Sequence, residues 1–177
     1  MTVRRLNHAV LYVRDVERSV AFYRDALDFR VLTQLPGAAF LRASGSTNDH
    51  DLGLFAIGAA AADSAAGTST VGLYHLAWEV ETLAELRDLR ARLAALGSLV
   101  GESDHGTTKS LYAKDPDGLE FEVCWLIPKD LLDGATMAGV LPLDLDGEIE
   151  RYGGATVGGL GISWPAASQT IGQGQGG

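Results

Sequence analysis

The chain has 177 residues, of which 46% are hydrophobic and 21% charged, a balance that suits one compact globular unit able to bury its own core. Its net charge is −9, and its 14 Lys and Arg residues are scattered without a run or stripe, which excludes nucleic acid as a partner. No run of about 18 apolar residues occurs, which excludes a membrane-spanning helix.

The N-terminal segment and the single cysteine indicate a compartment. The opening MTVRRLNHAVLYV lacks the long apolar stretch and the small-residue cleavage site of a secretory signal. One cysteine, Cys124, excludes an internal disulfide and a cysteine-based zinc site. We therefore expect a cytoplasmic protein that associates with no membrane and whose metal ligands, if it binds metal, are His and carboxylate side chains. Cys124 itself is most simply a small buried residue.

The first predicted elements form a βαβββ module. A β-type run that carries His8 reaches Val13, and Asp15 then has the position of an N-cap for a helix to about Leu27. Three shorter β-type runs follow, near 29–34, 38–43 and 51–57.

A connector rich in Ala, Gly and Ser, residues 58–72, leads to a second module of the same order. Its first β-type run carries His75. Thr82 and Glu85 then form a T-x-x-E capping box for a helix that reaches about Leu96. Three further β-type runs follow, near 98–103, 110–115 and 119–127, the last two joined by the turn sequence DPDG.

The two modules share a spacing that indicates an internal repeat. His8 precedes its helix cap Asp15 by seven residues, and His75 precedes its cap Thr82 by the same seven. The sequence thus predicts an α+β fold of paired βαβββ modules, with a curved, cupped mixed sheet and helices on the outside. We expect a single domain over residues 1–127, with modules at about 4–57 and 73–127.

Beyond Pro128 the pattern changes. Residues 128–152 form a predicted C-terminal extension, with a short helix near 144–151 that follows Pro142. Residues 153–177 form a Gly-rich tail that we expect to fray or to dock on a neighbouring subunit.

Alternation along the β-type runs places polar side chains on one face of the sheet. Strand side chains point to opposite faces in turn, so Glu122 lies opposite the apolar set that includes Phe121 and Val123. His75 and Tyr112 lie opposite the apolar residues of their own runs in the same way. The assignment of His8 to this face depends on the repeat, because apolar residues occupy both faces of its run. Glu120 shares the face of Glu122 and is the alternative carboxylate ligand.

His8, His75 and Glu122 together are a donor set for a borderline divalent metal. Two imidazoles and one carboxylate leave several coordination positions open, which favours catalysis over a closed structural site. The last strand of the first module, LGLFAI at residues 52–57, offers no fourth ligand.

These motifs, over about residues 4–127, resemble the vicinal oxygen chelate superfamily and, within it, the type I extradiol ring-cleaving dioxygenases. NHAVLYVRDVERSVAFYRDALDF is similar to the family's first strand and helix with a ligand at His8, and YHLAWEV to the strand that bears the second ligand, His75. HDLGLF resembles the segment with a non-ligand active-site histidine, His50. HGTTKSLYAKDPDGLEFEV resembles the closing block, which matches His105, Tyr112 and Glu122.

The resemblance implies a mechanism and partners. A small aromatic diol and O2 would meet on Fe(II), with Mn(II) as the alternative metal. His50 would be an acid–base group, Tyr112 would hydrogen-bond the substrate oxygen, and His105 would gate or orient the substrate. A homo-oligomer, a dimer or larger, is expected for a small sheet with edges to cover.

Two other functions fit the same fold. A glyoxalase- or epimerase-like lyase or isomerase would use the metal to stabilise an enediolate, usually with a fourth ligand that is missing here. A metal-free drug-binding protein, as in the bleomycin-resistance branch, would not need the three ligands. The simpler interpretations of the site residues are also open: His50 and His105 as loop residues, and Tyr112 as a β-favouring aromatic.

Overall fold

The computed structural model describes residues 2–3, 5–66, 69–133 and 139–161. The first half of the chain contains one helix and four strands, in the order β1 Ala9–Val13, α1 Val16–Leu27, β2 Arg30–Leu35, β3 Ala38–Arg42 and β4 Leu52–Ala56. The second half repeats this order with β5 Leu76–Glu79, α2 Leu83–Ala95, β6 Leu99–Asp104, β7 Thr108–Lys114 and β8 Glu120–Leu126. A 3-10 turn at Lys129–Leu131 and a third helix, α3 Leu145–Tyr152, follow.

The two halves have matching sheet topologies. The first sheet has the strand order β1-β4-β3-β2 and the second has the order β5-β8-β7-β6, which is the same order in the second set of strands. In the first sheet β1 runs parallel to β4, while β3 is antiparallel to both of its neighbours. The predicted α+β fold of βαβββ modules is confirmed.

The helix termini follow from local sequence. The carboxylate of Asp15 accepts from the backbone N–H of Arg18, 3.0 Å away, and so caps α1 as predicted. Before α2, the Thr82 hydroxyl accepts from the N–H of Glu85 at 3.2 Å, and the Glu85 carboxylate accepts from that of Thr82 at 3.0 Å. This reciprocal pair is the predicted capping box.

The strands that carry the predicted ligands begin later than the sequence suggested. β1 starts at Ala9, because its first ladder bond is donated by the Ala9 N–H to the carbonyl of Asp51, the residue directly before β4. Pairing does not extend back to His8, because the partner strand β4 begins at Leu52. β5 likewise starts at Leu76. His8 and His75 therefore each lie one residue before a strand.

The chain divides into two compact units, which interleave along the sequence. The first comprises Met1–Leu76, Ala91–Leu99 and Ala113–Phe121, and the second Ala77–Arg90, Val100–Tyr112 and Glu122–Gly177. The predicted limits of the domain, its modules and its linker stay predictions.

The core of the first unit lies along one face of α1. Val16, Val20 and Tyr23 are buried at the i, i+4, i+7 spacing of a helix face. Phe121 packs against this helix, with its ring 6.0 Å from that of Phe22. The residues of the first unit that are fully inaccessible to solvent include Ala26, Ala39, Leu41, Leu52, Leu54, Leu93 and Ala113.

The predicted DPDG turn belongs to the first unit and binds α1 and the residue before its cap. The Asp117 carboxylate accepts from the backbone N–H and the guanidinium of Arg14, both at 3.0 Å, and also pairs with Arg18. Burial alone would raise the pKa of Asp117. The hydrogen bonds from Arg14 and the charge of Arg18 together lower it by more, so the pKa of this carboxyl lies below its ordinary value. The buried Asp115 accepts from Tyr23 Oη at 3.2 Å, so this turn is a structural clamp.

The C-terminal residues form part of the second unit. The helix predicted at 144–151 is present as α3, and its cap Asp144 accepts from the N–H of Gly147. In the tail, Gly158 donates to the carbonyl of Glu81 at 2.8 Å and Gly159 to that of Leu126 at 2.9 Å. The prediction of fraying is therefore wrong for residues 153–161, whereas docking on a neighbouring subunit stays a prediction. Residues 162–177 lie outside the described part of the chain.

No helix within the described residues is long and apolar enough to cross a membrane.

Candidate active site

His8 is an exposed residue directly before β1, and one of its ring nitrogens is fixed by its neighbour. Nδ1 lies 2.7 Å from the side-chain oxygen Oδ1 of Asn7. Because an amide oxygen can only accept, Nδ1 carries the proton, and Nε2 of the neutral ring keeps its lone pair. That is the arrangement in which a histidine binds a metal through Nε2.

His50 lies against His8. The two ring centroids are 4.4 Å apart, with the rings tilted by 37°. Nδ1 of His50 donates to the Asp49 carboxylate over 3.0 Å, which again leaves the lone pair on Nε2. The His50 side chain is 18% exposed, and Phe40 meets it edge-on at 5.3 Å between centroids.

Two polar residues that the sequence analysis did not single out bring His50 to His8. The Asp51 carboxylate is buried and accepts from the N–H of Ala43, the hydroxyl of Ser46 and the side-chain amide of Asn48. Asn48 also donates to the backbone carbonyl of Asn7 at 2.9 Å. The loop before β4 is thus tied to the segment that precedes β1. An Asx-rich loop that leads into a buried strand is a sequence signal for such a role.

His75 is half-buried and lies directly before β5, where its ring contacts that of Tyr74 at 4.6 Å between centroids. Since His75 is outside the strand, alternation along β5 does not by itself set the direction of its side chain. Its position relative to β5 is the same as that of His8 relative to β1.

Glu122 lies on β8 between the buried residues Phe121 and Val123, as the predicted alternation requires. One of its carboxylate oxygens accepts from the hydroxyl of Ser110 on β7 at 2.5 Å, and Ser110 is fully buried. A buried hydroxyl that orients a carboxylate is a common support for a metal ligand. Ser110 was missed from the sequence, although it shares the strand face of Tyr112.

His105 and Tyr112 are brought together in the second unit. Nε2 of His105 lies 2.7 Å from Tyr112 Oη, and Nδ1 lies 2.9 Å from the carbonyl oxygen of Gly139. Because that carbonyl can only accept, Nδ1 carries the proton, and Nε2 accepts the hydrogen bond of the Tyr112 hydroxyl. The two side chains act as one hydrogen-bonded pair.

Cys124 is buried, as expected for a small apolar residue. Burial, with smaller effects from the Glu122 and Glu79 carboxylates, raises the pKa of its thiol to about 12. It remains a protonated thiol near neutral pH, a form that neither attacks electrophiles nor binds metal well.

Five of the six predicted site residues thus form two histidine-containing pairs, His8 with His50 and His105 with Tyr112, and one supported carboxylate, Glu122. The sixth, His75, contacts Tyr74. Within residues 2–3, 5–66, 69–133 and 139–161, no group of three or more His, Cys, Asp or Glu side chains is gathered closely enough to hold a metal ion. His8 and His75 belong to the first unit and Glu122 to the second. Their meeting around one ion stays a prediction.

Residues 5–123 match the family model described as the Glyoxalase/Bleomycin resistance protein/Dioxygenase superfamily. The chain belongs to this superfamily. The matched region contains every predicted site residue, namely His8, His50, His75, His105, Tyr112 and Glu122. It ends before the C-terminal residues, including α3, that complete the second unit.

Two curated relatives are about 30% identical to this chain over the matched residues. The chain is 30% identical over 152 residues to the Catechol-2,3-dioxygenase of Bacillus subtilis (strain 168), a match that covers 84% of this chain and 52% of that protein. It is 29% identical over 120 residues to Metapyrocatechase 2 of Cupriavidus necator, covering 65% of this chain and 34% of that protein. The chain therefore spans about half the length, or less, of these relatives.

A solved superfamily structure agrees with the fold. The glyoxylase/bleomycin resistance protein/dioxygenase domain from Frankia sp. EAN1pec has a TM-score of 0.57 and 23% identity, and the match covers 70% of this chain and 98% of that domain. At this identity the match supports the fold alone.

Proposed function

We propose that this chain catalyses extradiol, or meta, cleavage of a small catechol by O2, with Fe(II) as the metal. The observation that carries the proposal is the contact of His8 with His50, whose ring centroids are 4.4 Å apart. It puts a predicted metal ligand beside a predicted acid–base group, and both rings keep a lone pair on Nε2. The two relatives named Catechol-2,3-dioxygenase and Metapyrocatechase 2 support it.

The residues that would hold the metal are His8, His75 and Glu122. Their donor chemistry fits Fe(II), with Mn(II) as the alternative, because imidazole and carboxylate suit both ions. Asn7 orients His8 at 2.7 Å and Ser110 orients Glu122 at 2.5 Å, the outer contacts that such ligands need. When bound, Fe(II) would supply adjacent open positions for the two catechol oxygens and O2, and the electrons for oxygen activation.

The chain's own groups would manage the protons. His50, held by Asp49 through Nδ1, would accept the proton of a catechol hydroxyl at Nε2. Tyr112 would hydrogen-bond the second substrate oxygen, while His105 holds the Tyr112 hydroxyl at 2.7 Å. Phe40, which contacts His50 edge-on, would shield this proton transfer from water.

The two rival functions make different demands on the chain. Lyase or isomerase chemistry would usually need a fourth ligand, and β4, with the sequence LGLFA, offers none. A metal-free binding protein would not need Ser110 to orient Glu122 from a fully buried position.

Metal content and oxygen uptake test the proposal. We expect anaerobic loading with Fe(II), followed by a catechol and air, to give O2 consumption and a coloured ring-opened product. Glu122→Ala should lose both metal and turnover, whereas its strand neighbour Glu120→Ala, the matched control, should keep both. Turnover with no metal bound, or metal retained by Glu122→Ala, would contradict the ligand assignment. Bound metal without O2 uptake would favour the lyase or isomerase.

Cytoplasmic location and a homo-oligomeric state remain predictions, which cell fractionation and light scattering can check.

A further inference from the structure

His105 is held by residues that follow the region matched to the superfamily. From here on, C-terminal extension means residues 139–161, which overlap the extension predicted from the sequence at 128–152. Its first residue, Gly139, makes two backbone contacts with His105: its carbonyl accepts from His105 Nδ1 at 2.9 Å, and its N–H donates to the His105 carbonyl at 3.4 Å. The ring and the backbone of His105 are therefore both tied to this extension.

Backbone pairing beside His105 adds a second attachment. The N–H of Asp104 donates to the Leu141 carbonyl at 2.8 Å, and the N–H of Leu141 donates back to the Asp104 carbonyl at 2.9 Å. A reciprocal pair of this kind fixes the two segments in register. The residue before His105 is thus bound to the C-terminal extension as one strand is bound to another.

A buried ion cluster adds a third attachment. The ammonium of Lys109, which is 2% exposed, lies 2.6 Å from the Asp104 carboxylate and 3.1 Å from that of Glu148 on α3. Buried charges of this kind require their partners, because an unpaired one loses its hydration without compensation. Leu145, the first residue of α3, is also only 2% exposed and anchors this helix in the core of the second unit. Together these contacts hold α3 next to the segment that carries His105.

These attachments determine how His105 meets Tyr112. With the proton on Nδ1 held by the Gly139 carbonyl, Nε2 of the neutral ring can only accept, and it accepts from the Tyr112 hydroxyl at 2.7 Å. In the other tautomer the Gly139 contact would fail, because Nδ1 would present a lone pair to a carbonyl oxygen that can only accept. The Tyr112 hydroxyl could still accept from Nε2–H, since a hydroxyl both donates and accepts, so the Gly139 carbonyl is the contact that selects the tautomer.

We propose that the C-terminal extension is a positioning element that fixes the tautomer of His105, so that His105 is the proton acceptor for Tyr112. The catalytic consequence rests on the proposed function. As the proton of a substrate hydroxyl moves to the Tyr112 oxygen, the phenolic proton of Tyr112 moves to Nε2 of His105. The products are a substrate oxyanion, a neutral Tyr112 and an imidazolium whose Nδ1–H stays on the Gly139 carbonyl. One proton is passed on at each step and no electrons are transferred.

Nitrogen NMR of the full chain, metal-free and labelled with 15N histidine, tests the positioning directly. The ring shifts of His105, assigned by their loss in His105→Gln, should show one tautomer with the proton on Nδ1 and none on Nε2. Tyr112→Phe should keep that tautomer, because the Gly139 carbonyl still holds it. A mixture of tautomers in Tyr112→Phe would overturn the proposal, since Tyr112 and not the extension would then set the ring.

Loosening α3 tests the role of the extension. The double variant Leu145→Ala with Glu148→Gln should speed amide exchange at Asp104 and Leu141 and give mixed tautomers at His105. Gly139→Ala is the matched control, because it changes the extension at the residue that holds His105 but keeps the backbone carbonyl. A Cβ there meets nothing within 4 Å, and Gly139 has no positive φ. This substitution should change neither readout. Faster exchange with an unchanged tautomer would overturn the proposal; if the double variant does not fold, the Tyr112→Phe result decides.

An activity measurement separates this proposal from the proposed function. In the iron-loaded protein, the double variant should lose about tenfold in kcat with KM and metal content nearly unchanged, the size of effect typical of a lost outer partner. An unchanged kcat alongside mixed tautomers would overturn the proton-acceptor role. Absence of turnover in the wild type, with the expected tautomer results, would overturn the proposed function and leave the positioning of His105 standing.

Discussion

The two pairs of ring residues differ in what they leave available for chemistry. In the first unit, the tilted rings of His8 and His50 pack against one another, and each donates its Nδ1 proton to a neighbouring side chain, so both keep a lone pair on Nε2. In the second unit, the Nε2 lone pair of His105 is taken up by the Tyr112 hydroxyl. The first pair can bind a cation or accept a proton from a ligand, and the second can only pass on what Tyr112 receives.

The anchors of the two pairs differ in the same sense. His8 and His50 are held by exposed side chains, Asn7 and Asp49, that can adjust when a ligand binds. His105 is held by the backbone carbonyl of Gly139 and by a segment that the buried Lys109 ties down. A metal ligand tolerates small adjustments in the free protein, whereas a tautomer must be set before the reaction begins. Histidines in one fold can thus be prepared for different tasks by the kind of acceptor each Nδ1 meets.

The largest expected effect separates the pairs by metal binding. His8→Ala removes one of three predicted ligands, so metal affinity should fall by more than the roughly 100-fold that loss of an outer partner costs. His105→Ala should keep the wild-type metal content, because its Nε2 is engaged by Tyr112. Elemental analysis after dialysis against Fe(II) or Mn(II) measures both. Equal loss in the two variants would remove the distinction between the pairs.

A smaller effect separates metal binding from proton transfer within the first pair. His50→Phe keeps a ring that can pack on His8 and Phe40, so the metal should stay bound. Turnover should fall by about 10², the lower range for loss of an acid–base group. Steady-state oxygen uptake checks this, with Asp49→Ala as the milder control, since the Asp49 carboxylate is exposed and its hydrogen bond is weak in water. Wild-type turnover in His50→Phe would make His50 a structural loop residue.

The fold could be predicted from sequence where local chemistry decides it. Asp15 and the Thr82–Glu85 box mark helix starts through hydrogen bonds that span three residues, and both caps are present. The starts of β1 and β5 were less predictable, because a strand begins where its partner does, and the partner of Ala9 is Leu52.

Predictability within the candidate site follows the same division. The repeat and the alternation identified His8, His75 and Glu122 as candidates, because these patterns use side-chain identity alone. Gly139 could not have been found in this way, since a backbone carbonyl that fixes a tautomer has no residue type of its own. Residues 153–161 were misjudged because glycine content suggests freedom, whereas here it permits close approach: a Cβ at Gly159 would lie 2.9 Å from the Ile127 carbonyl oxygen.

The smallest predicted effect tests the anchor of His8. Asn7→Ala removes the acceptor 2.7 Å from Nδ1, so the ring can rotate and exchange tautomers, and metal affinity should fall by about tenfold, the low end for an outer partner because the pair is exposed. Asn7→Asp keeps an acceptor oxygen and adds a negative charge that favours a cation at Nε2, so it should bind metal at least as well as the wild type. Titration calorimetry with Mn(II), which does not oxidise in air as readily as Fe(II), measures both. Wild-type affinity in Asn7→Ala would mean that metal binding by His8 does not depend on the tautomer that Asn7 sets. His8 and the firmly held His105 would then differ even more than their hydrogen bonds alone suggest.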